Sequence, residues 1–298
     1  MAFLDENGVA VLWDLTKRNA EQKHWTLIDK IEYAGGGKYT TGSNGTFTWT
    51  APDLFEGKAY EIGVYMIGGG SSGAAVTWNS YDGDQFQLFA LGGASGYAKN
   101  MMMTVTPGST YASVIGAGGA AVSTSLGGKN GNTGGSTSFN GVTVNGGGSP
   151  RFDGSYQNQI NGADGGQGSS TPLAVNNGQD KFAGTITIHT PLNSRDGNSQ
   201  SPAVSQNLFD QTMITLACGG FATTQVTSSP NNSNNSGNQT VGKLPDGTGG
   251  GSGSSAATGN NATGYGNGGG AVARYGTSAK SGAGSSGVVF IYAKGVVA

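Results

Sequence analysis

The chain has 298 residues, of which 57 are glycine and only 8 are proline, and charged residues make up 11% of it. The net charge of −2 and the single cysteine give no sign of a nucleic-acid partner and exclude an internal disulfide framework. Collagen is excluded as well, because its triple helix needs a sustained Gly-X-Y period and abundant proline. The retained aromatic residues, 9% of the chain, are enough to build a packed core.

No stretch approaches the 18 apolar residues of a membrane-spanning helix, and no cleavable signal peptide is recognised. We therefore expect no membrane insertion and synthesis in the cytoplasm. Assembly into a particle that is released by lysis is one route by which such a protein could act outside a cell.

Residues 1–34 differ from the rest in being rich in charge and poor in glycine. Acids at the start of the segment and Lys17 and Arg18 near its end complement a helix dipole. We therefore expect a short amphipathic helix that anchors or oligomerises the chain, with a stripe consisting of Leu4, Val11, Leu12 and Leu15 and with Trp13 at its edge. A helix this short must bury its stripe. The surface that covers it is either the chain's own β domain, a partner subunit or a second copy.

Residues 35–45 read as a linker, and residues 46–298 as one glycine-rich β domain. Thr46–Thr50 alternates polar and aromatic residues, and 59–67 is apolar on both faces near its end, which indicates a central strand. The apolar run 287–293 is expected to pair beside 59–67 and close the domain. Two hairpins are predicted, one joining 97–106 to 111–115 through Pro107-Gly108 and one at Asn140-Gly141.

Glycine recurs at every third position in three tracts, which begin at Gly128, Gly162 and Gly247. A left-handed extended helix of the polyproline II type has three residues per turn, so this spacing gives it one face without side chains. Such segments can pack main chain against main chain, with their N–H and C=O groups paired between segments. The alternative is that the tracts are flexible linkers.

A loop-rich insert is predicted at 149–240, with strands at 185–189 and 212–217 and irregular polar sequence at 192–209. Two histidines and one cysteine cannot form a zinc cluster. The GxGxxG match at Gly264 has no following helix or downstream acid, so no dinucleotide cofactor is expected. Asp82 and Asp84 flank a turn glycine, and paired carboxylates of this kind could in principle hydrolyse a glycan.

Five segments taken in order resemble the glycine-rich domain of phage tail-fibre and tail-tip proteins. They are TFTWTAP, a strand ending in GGG, TVTPGSTYASVIGAGG, GGSTSFNGVTVNGGG and the closing GYGNGGG…SGAGSSGVVFIYA. The N-terminal FLDENGVAVLW is similar to a short leader of phage structural proteins. The resemblance runs from about residue 46 to residue 293. It departs from the family in its shorter glycine runs, which are diluted with alanine and serine.

The resemblance implies a non-enzymatic virion protein, a receptor-binding subunit that recognises a glycan or protein on the host surface. It would contact other virion proteins through residues 1–34 and form a homo-oligomer, with a trimer expected. Aromatic rings stack on sugar faces, and amides and carboxylates bond hydroxyl groups. The expected receptor-binding residues are therefore Trp78, Tyr81, Asp82, Asp84, Phe86, Arg151, Phe152 and Tyr156. Two alternatives stay open: a purely structural head-fibre or decoration protein, and a glycan hydrolase.

Overall fold

The computed structural model describes residues 24–34, 45–78, 86–156, 184–186, 203–210, 212–217, 219, 222–226, 251 and 257–296. These residues are mainly β and contain no helix, and all but one of their strand ladders are antiparallel. The predicted fold class is confirmed for this part of the chain. The predicted helix with Leu4, Leu12, Trp13 and Leu15 lies outside the described residues, as does most of the 35–45 linker. The described residues also contain no helix long and apolar enough to cross a membrane.

In chain order the strands are β1 (Trp25–Glu32), β2 (Thr46–Thr50), β3 (Tyr60–Ile67), β4 (Ala75–Trp78), β5 (Phe86–Ala90), β6 (Ala98–Val105), β7 (Thr110–Val114), β8 (Ser123–Thr124), β9 (Gly127–Lys129), β10 (Thr137–Phe139), β11 (Val142–Val144), β12 (Phe152–Tyr156), β13 (Gly184–Ile186), β14 (Ala203–Asn207), β15 (Met213–Ala217), β16 (Ala222–Val226), β17 (Val272–Tyr275), β18 (Ala279–Lys280) and β19 (Val288–Lys294). They form six sheets. Five of them fall into two groups with extended segments between the groups, and the sixth, β14-β15, covers one group.

One group is a β-sandwich, here called the sandwich, made of the sheets β1-β19-β3-β6-β13 and β11-β10-β7-β2. As predicted, β3 is central, and the closing strand β19 pairs with it. Alternation along β3 sends Ile62, Val64 and Met66 into the core between the two sheets. Tyr65 and Ile67 point to the opposite face. Both faces of β3 are buried from Ile62 onwards, which explains why its sequence carries no charged residue after Glu61.

The opposite face of the five-stranded sheet is covered by the hairpin β14–β15. The ring of Phe209, in the turn of this hairpin, packs 4.9 Å from Trp25 and 5.6 Å from Tyr292, measured between ring centroids. Gly63 makes room for it, since a Cβ at this position would overlap the Phe209 ring. Part of the predicted loop-rich insert is therefore a structural cover of the sandwich.

A buried polar contact joins the two sheets of the sandwich. The indole nitrogen Nε1 of Trp49 on β2 donates to Oδ2 of Asp29 on β1 at 2.5 Å, and both side chains are buried. A buried carboxylate is costly unless it is hydrogen-bonded, so the pair holds β1 in register with the facing sheet. Residues 25–32 therefore belong to the β body, although the sequence analysis placed them in the N-terminal segment.

The structure corrects several local predictions. Strands β6 and β7 do not form the predicted hairpin, because β6 pairs with β3 and β13 while β7 pairs with β2 and β10. The chain crosses between the sheets at Pro107-Gly108, where the N–H of Ser109 donates to the carbonyl of Thr106 at 3.1 Å. The region 192–209, expected to be irregular, contains β14. The Asn140-Gly141 hairpin is confirmed, with φ of 47° and 78° at its two turn residues.

Between the two groups of strands lies a set of extended glycine-rich segments, here called the bundle. It comprises 68–74, 91–97, 116–122, 130–135, 145–150, 266–271 and 281–287. Segment 68–74 is its centre. The N–H groups of this segment donate to three neighbouring segments in turn, so that every third N–H meets the same neighbour, with N···O distances of 2.9–3.1 Å. Positions 68, 71 and 74 donate to 91–97. Positions 69 and 72 donate to 130–135, and positions 70 and 73 donate to 281–287. A partner that returns every third residue shows three residues per turn, as in a polyglycine II helix.

The remaining three segments donate to the central one. The carbonyls at positions 69, 70 and 71 accept from Gly147, Gly119 and Gly269 at 2.8–2.9 Å. The six outer segments also bond to one another in the order 91–97, 266–271, 281–287, 116–122, 130–135 and 145–150, and back to 91–97. A closed ring of six therefore surrounds one central segment, and the predicted pairing between glycine segments is confirmed. Of the three glycine tracts, the one beginning at Gly128 lies within the described residues.

The bundle requires glycine because its main chains touch. A Cβ added at Gly68, Gly69 or Gly70 would lie well under 3.0 Å from a carbonyl group of a neighbouring segment. Ser71, Ser72 and Ala74 are the residues of the central segment that are not glycine, and all three are fully buried. The hydroxyl oxygens of the two serines accept from the N–H groups of Ala94 at 2.7 Å and Asn132 at 2.8 Å. Ser71 thus supplies the acceptor for a buried N–H, that of Ala94, and Ser72 supplies one for the part-buried N–H of Asn132.

The second group of strands, here called the distal lobe, consists of the sheets β12-β5-β16, β17-β4-β9 and β18-β8. Small residues fill the core between the first two sheets, including Ala90, Ala222, Ala271 and Ala273. Bundle segments 68–74 and 91–97 connect its strands β4 and β5 to β3 and β6 of the sandwich. The bundle is therefore the shaft between the sandwich and the distal lobe.

A polar cluster fastens β1 to the chain entering the bundle. The ammonium of Lys30 donates to the hydroxyl oxygen of Tyr265 at 3.0 Å and lies 3.1 Å from Glu32. The Tyr265 hydroxyl donates to the same carboxylate. Burial opposes ionisation of Glu32, but these hydrogen bonds and the charge of Lys30 outweigh it and place the pKa of Glu32 below its ordinary value.

Candidate functional site

The strand registers define two opposite ends of the molecule, here called poles: the end of the sandwich away from the bundle, and the end of the distal lobe away from the bundle. Glu32 lies opposite Val288, which directly follows the bundle, whereas Trp25 lies opposite Lys294 at the other end of β19. The chain preceding β1 therefore enters at the end of the sandwich farthest from the bundle, where the N–H of Gly295 donates to the carbonyl of His24 at 2.9 Å. Strand and polyglycine rises of about 3.3 and 3.1 Å per residue put this pole roughly 50 Å from the far end of the distal lobe.

The structure brings five of the predicted receptor-binding residues to the distal lobe. Trp78 ends β4, Phe86 begins β5, and Arg151 directly precedes β12, which runs from Phe152 to Tyr156. Tyr156 pairs in register with Phe86, and Phe152 with Ala90. The side chains of Phe86 and Tyr156 are not among those described. The other three, Tyr81, Asp82 and Asp84, lie outside the described residues, in the sequence between the ends of β4 and β5.

An aromatic rim forms at the edge of the distal core. Trp78, Phe152 and Tyr275 are half-buried and pack against the buried alanines beneath them. Trp78 and Tyr275 occupy the last rung of the parallel ladder between β4 and β17. The Phe152 ring lies over the Cα of Gly128, where a Cβ would overlap it. The rim therefore presents aromatic surface drawn from three different strands.

Sequence reasoning missed Tyr275 and its neighbour Arg274. The signal was the alternation in 271–276, where Ala273 and Tyr275 face the distal core and Val272 faces the other way. The glycine-rich sequence on both sides of this short run obscures the alternation. Tyr275 completes the rim that Trp78 and Phe152 begin.

Arg274 lies beside the last rung of the ladder, paired in register with Thr77. The Thr77 hydroxyl donates to the carbonyl of Gly276 at 2.6 Å, which fixes the turn that follows β17. The guanidinium of Arg274 covers the Cα of Gly276, since a Cβ there would lie 2.6 Å from Nη2 and 2.8 Å from Nε. The Nε group is buried and makes no hydrogen bond to the described residues.

Among the described residues, no group of three histidine, cysteine, aspartate or glutamate side chains is arranged to hold a metal ion. The described part of the distal lobe offers aromatic surface, main-chain groups and basic side chains. These groups suit recognition of a ligand through stacking and hydrogen bonding.

Comparison with protein-family models matches residues 40–294 to the glycine-rich domain family. No curated protein matches the chain significantly. The family match starts just before β2 and includes every bundle segment and the closing strand β19. On the strength of this match over most of its length, the chain belongs to the glycine-rich domain family.

Proposed function

We propose that this protein is a non-enzymatic virion component, a tail-fibre or tail-tip subunit that binds a glycan or protein receptor on the host surface through its distal lobe. The observation that carries the proposal is the separation of the two poles. The chain enters the sandwich at one pole, and the aromatic rim lies beyond the bundle at the other. A receptor-binding subunit needs this arrangement, because one end must join the particle while the other reaches the cell.

The bundle supports the proposal as a rigid spacer. Its central segment is hydrogen-bonded to six neighbours, so bending it would break main-chain bonds in several segments together. Glycine-rich sequence would otherwise behave as a flexible coil, with an end-to-end distance that fluctuates widely. A stiff spacer holds the distal lobe at a defined distance from the particle.

The distal rim supports a carbohydrate ligand. Trp78, Phe152 and Tyr275 are half-buried, so each ring keeps an exposed part while its base is fixed by packing. Rigid aromatic rings provide contact area at a low cost in conformational entropy. The residues between β4 and β5, including Tyr81, Asp82 and Asp84, would add polar contacts to sugar hydroxyl groups.

Adsorption of the fluorescently labelled full chain to a panel of bacterial strains and purified surface polysaccharides tests the proposal. We expect wild-type protein to bind some of them. The triple variant Tyr81→Ala, Asp82→Ala and Asp84→Ala should lose that binding while keeping the wild-type circular dichroism spectrum. The matched control is Leu27→Ser, which alters an exposed residue 42% accessible at the opposite pole and should leave adsorption unchanged.

Failure of the wild-type chain to adsorb to any strain or polysaccharide would overturn receptor binding and favour a head-fibre or decoration protein. The bundle would suit that role equally well, because a spacer needs no receptor. Release of glycan fragments from the polysaccharides would instead favour the hydrolase alternative.

We further propose that the residues before β1 join the protein to other virion proteins and form its oligomer contacts. The stripe of Leu4, Leu12 and Leu15 has the spacing of an amphipathic helix, and the described chain begins at the pole remote from the rim. Sedimentation equilibrium should give the mass of a trimer. The double variant Leu12→Asp and Leu15→Asp should reduce it to that of a monomer, and an unchanged mass would place the contact elsewhere.

A further inference from the structure

We infer that Asn140 is a site of spontaneous modification, where the side-chain amide is lost and the residue becomes aspartate or isoaspartate, and that isoaspartate there weakens the sandwich. Among the Asn-Gly pairs whose residues the structure describes, it is the one that the fold leaves able to react. Those pairs begin at Asn130, Asn140, Asn145 and Asn267. The inference goes beyond the proposed function and does not depend on it, because the reaction needs no ligand.

The reaction uses only the two residues of the pair and water. The main-chain nitrogen of Gly141 attacks Cγ of Asn140, a C–N bond forms, and the bond from Cγ to the side-chain nitrogen breaks. Ammonia leaves with the proton that the glycine nitrogen loses, and a five-membered succinimide remains. Water then opens one of the two succinimide carbonyl groups, which gives either aspartate or isoaspartate. Glycine favours the attack, because it has no Cβ to obstruct the approach to its nitrogen.

The first observation is the openness of the turn. Asn140 is exposed, and a Cβ added at Gly141 would meet no atom within 4 Å. The two residues form the turn between β10 and β11, with φ of 47° and 78°. In a two-residue hairpin turn the closing main-chain bond joins the flanking residues, here Phe139 and Val142, and does not use the nitrogen of the second turn residue. The side chain of Asn140 can therefore approach the attacking nitrogen.

The second observation concerns the movement that the attack requires. Cyclisation turns the peptide unit between the two residues about the Cα–C bond of the asparagine, so a hydrogen bond made by that unit must break. The N–H of Asn140 donates to the carbonyl of Ala112 at 2.8 Å, and it lies on the other side of the rotating bond. The side-chain nitrogen Nδ2 donates to the sulfur of Met103 at 3.8 Å, a weak contact. The rotation therefore leaves the bond to Ala112 intact.

The other three pairs are held in the bundle by the peptide unit that would have to turn. The N–H of Gly131 donates to the carbonyl of Pro150 at 2.9 Å, and the carbonyl of Asn145 accepts from the N–H of Tyr97 at 3.0 Å. The carbonyl of the buried Asn267 likewise accepts from a main-chain N–H at 2.9 Å. These pairs can react only when the bundle opens locally, and such openings are rare in close-packed regions.

Isoaspartate at position 140 should weaken the sandwich. Its main chain passes through the former side chain and is one atom longer, so the turn no longer fixes the pairing of β10 with β11. Phe139, beside the turn, is fully buried and stacks on Tyr111 with 6.0 Å between the ring centroids. A shift of this strand would move that ring within the core. Aspartate keeps the ordinary main chain, and Asp-Gly suits the same type of turn as Asn-Gly.

The direct test incubates the full-length chain in ¹⁸O-labelled water at mildly alkaline pH, followed by digestion and tandem mass spectrometry. Opening of the succinimide incorporates ¹⁸O, which separates this reaction from modification that preceded the incubation. We expect labelled aspartate and isoaspartate at Asn140, and rates at least about tenfold lower at Asn130, Asn145 and Asn267. The inference is overturned if one of those three reacts as fast as Asn140. It is overturned as well if Asn140 stays unlabelled in the protein while it reacts in a synthetic peptide of residues 137–144.

Variants identify the attacking nitrogen. Gly141→Ala places a Cβ beside it and should reduce labelling at Asn140 severalfold; the Cβ has room, although φ of 78° strains the turn. The matched control is Gly57→Ala, at another turn glycine with φ of 79° and nothing within 4 Å, and it should leave the labelling unchanged. Equal labelling in Gly141→Ala and wild type would contradict cyclisation onto Gly141.

The stability of the product separates the effect of isoaspartate from that of the new charge. The isoaspartate form, isolated by chromatography, should unfold at a lower urea concentration than Asn140→Asp, which carries the same charge on an unaltered main chain. Asn140→Asp should unfold close to wild type. Equal midpoints for the isoaspartate form and Asn140→Asp would disprove the weakening of the sandwich. Neither measurement involves adsorption to cells, so its outcome is independent of the proposed function.

Discussion

The sandwich and the bundle are neighbours in one chain, but different atoms make their contacts. In the sandwich, side chains such as Ile62 and Trp49 fill the space between two sheets. In the bundle, N–H and C=O groups of seven segments bond directly, and at glycines such as Gly68, Gly69 and Gly70 the spacing leaves no room for a Cβ. The sandwich core is thus stabilised mainly by buried apolar area, and the bundle by main-chain hydrogen bonds at close approach.

The difference teaches where each region tolerates change. A side-chain core adjusts partly to a smaller residue, so the cost depends on the volume removed. A main-chain contact in the bundle cannot adjust in this way. The carbonyl group that a new Cβ would meet belongs to a segment held by its own hydrogen bonds, so moving it would break those bonds. We therefore expect a graded response in the sandwich and an all-or-none response in the bundle, and the predictions below test this from the largest effect to the smallest.

The largest effect should come from Gly70→Ala in the central segment. The added Cβ would lie under 3.0 Å from main-chain atoms of Asn267, and we expect the free energy of unfolding to fall by about 4 kcal/mol or more, measured by urea denaturation. The control is Gly108→Ala in a sandwich turn. Nothing lies within 4 Å of its Cβ, so only the φ of +79° should cost about 1 kcal/mol. Equal losses in the two variants would show that the bundle is not close-packed.

Ile62→Ala should have the next largest effect. The side chain is fully buried between the two sheets, and its truncation is expected to lower the free energy of unfolding by about 3 kcal/mol. Ile62→Val removes one methylene group and should cost about 1 kcal/mol. If the two variants were equally damaging, the response of the sandwich would not be graded by volume.

Ser72→Ala separates the two kinds of contact within the bundle. A Cβ already fits at position 72, so the variant loses only the hydroxyl that accepts from the N–H of Asn132 at 2.8 Å. We expect a loss of about 1–2 kcal/mol and faster hydrogen exchange at the amide of Asn132. At the adjacent position, Gly73→Ala brings its Cβ under 3.0 Å from Gly270 and should cost far more.

The smallest effect is the pH dependence that Glu32 confers. Its pKa is lower in the folded protein than in the unfolded chain, so its contribution to stability is present above the ordinary value of 4.5 and is lost as the pH falls through the lower folded pKa. Glu32→Gln should reduce the free energy of unfolding by about 1 kcal/mol or less at neutral pH, with the difference vanishing in acid. The comparison variant is Glu61→Gln, whose carboxylate is 3.6 Å from Lys294. An unchanged difference in acid would contradict the role of the Glu32 carboxylate.

Local signals predicted much of the sandwich correctly. The alternation in β2, the two-sided apolar run in β3 and the run in β19 reflect how each strand is buried, which a strand's own sequence records. The Asn140-Gly141 turn followed from the positive φ values that these two residues tolerate. The threefold glycine spacing indicated segments that pack by their main chains.

Partners could not be predicted in the same way. Pro107-Gly108 has the sequence of a hairpin turn, but β6 and β7 pair with strands of two different sheets. Val105 and Ile115, on either side of the connection, both contribute to the core between those two sheets. The strands β1 and β12 went unrecognised, since pairing with distant strands formed them where local patterns were weak. The strand β14 also went unrecognised, although it pairs with the next strand, β15. For the candidate site, the sequence singled out Trp78 and Phe152, a prediction that stays untested, whereas the position of Tyr275 opposite Trp78 was shown by the ladder between β4 and β17.

By itself the sequence determined that the chain is a β protein with little charge, with strands at its most apolar runs and with glycine segments able to approach one another closely. The tertiary structure decided which segment lies at the centre and which six surround it. The physical reason is that a main-chain hydrogen bond is almost the same at every residue and leaves no trace of its partner in the sequence. Side-chain burial does leave a trace, because buried positions are apolar. For that reason the strands of the sandwich could be predicted from the sequence, and the arrangement of the bundle segments could not.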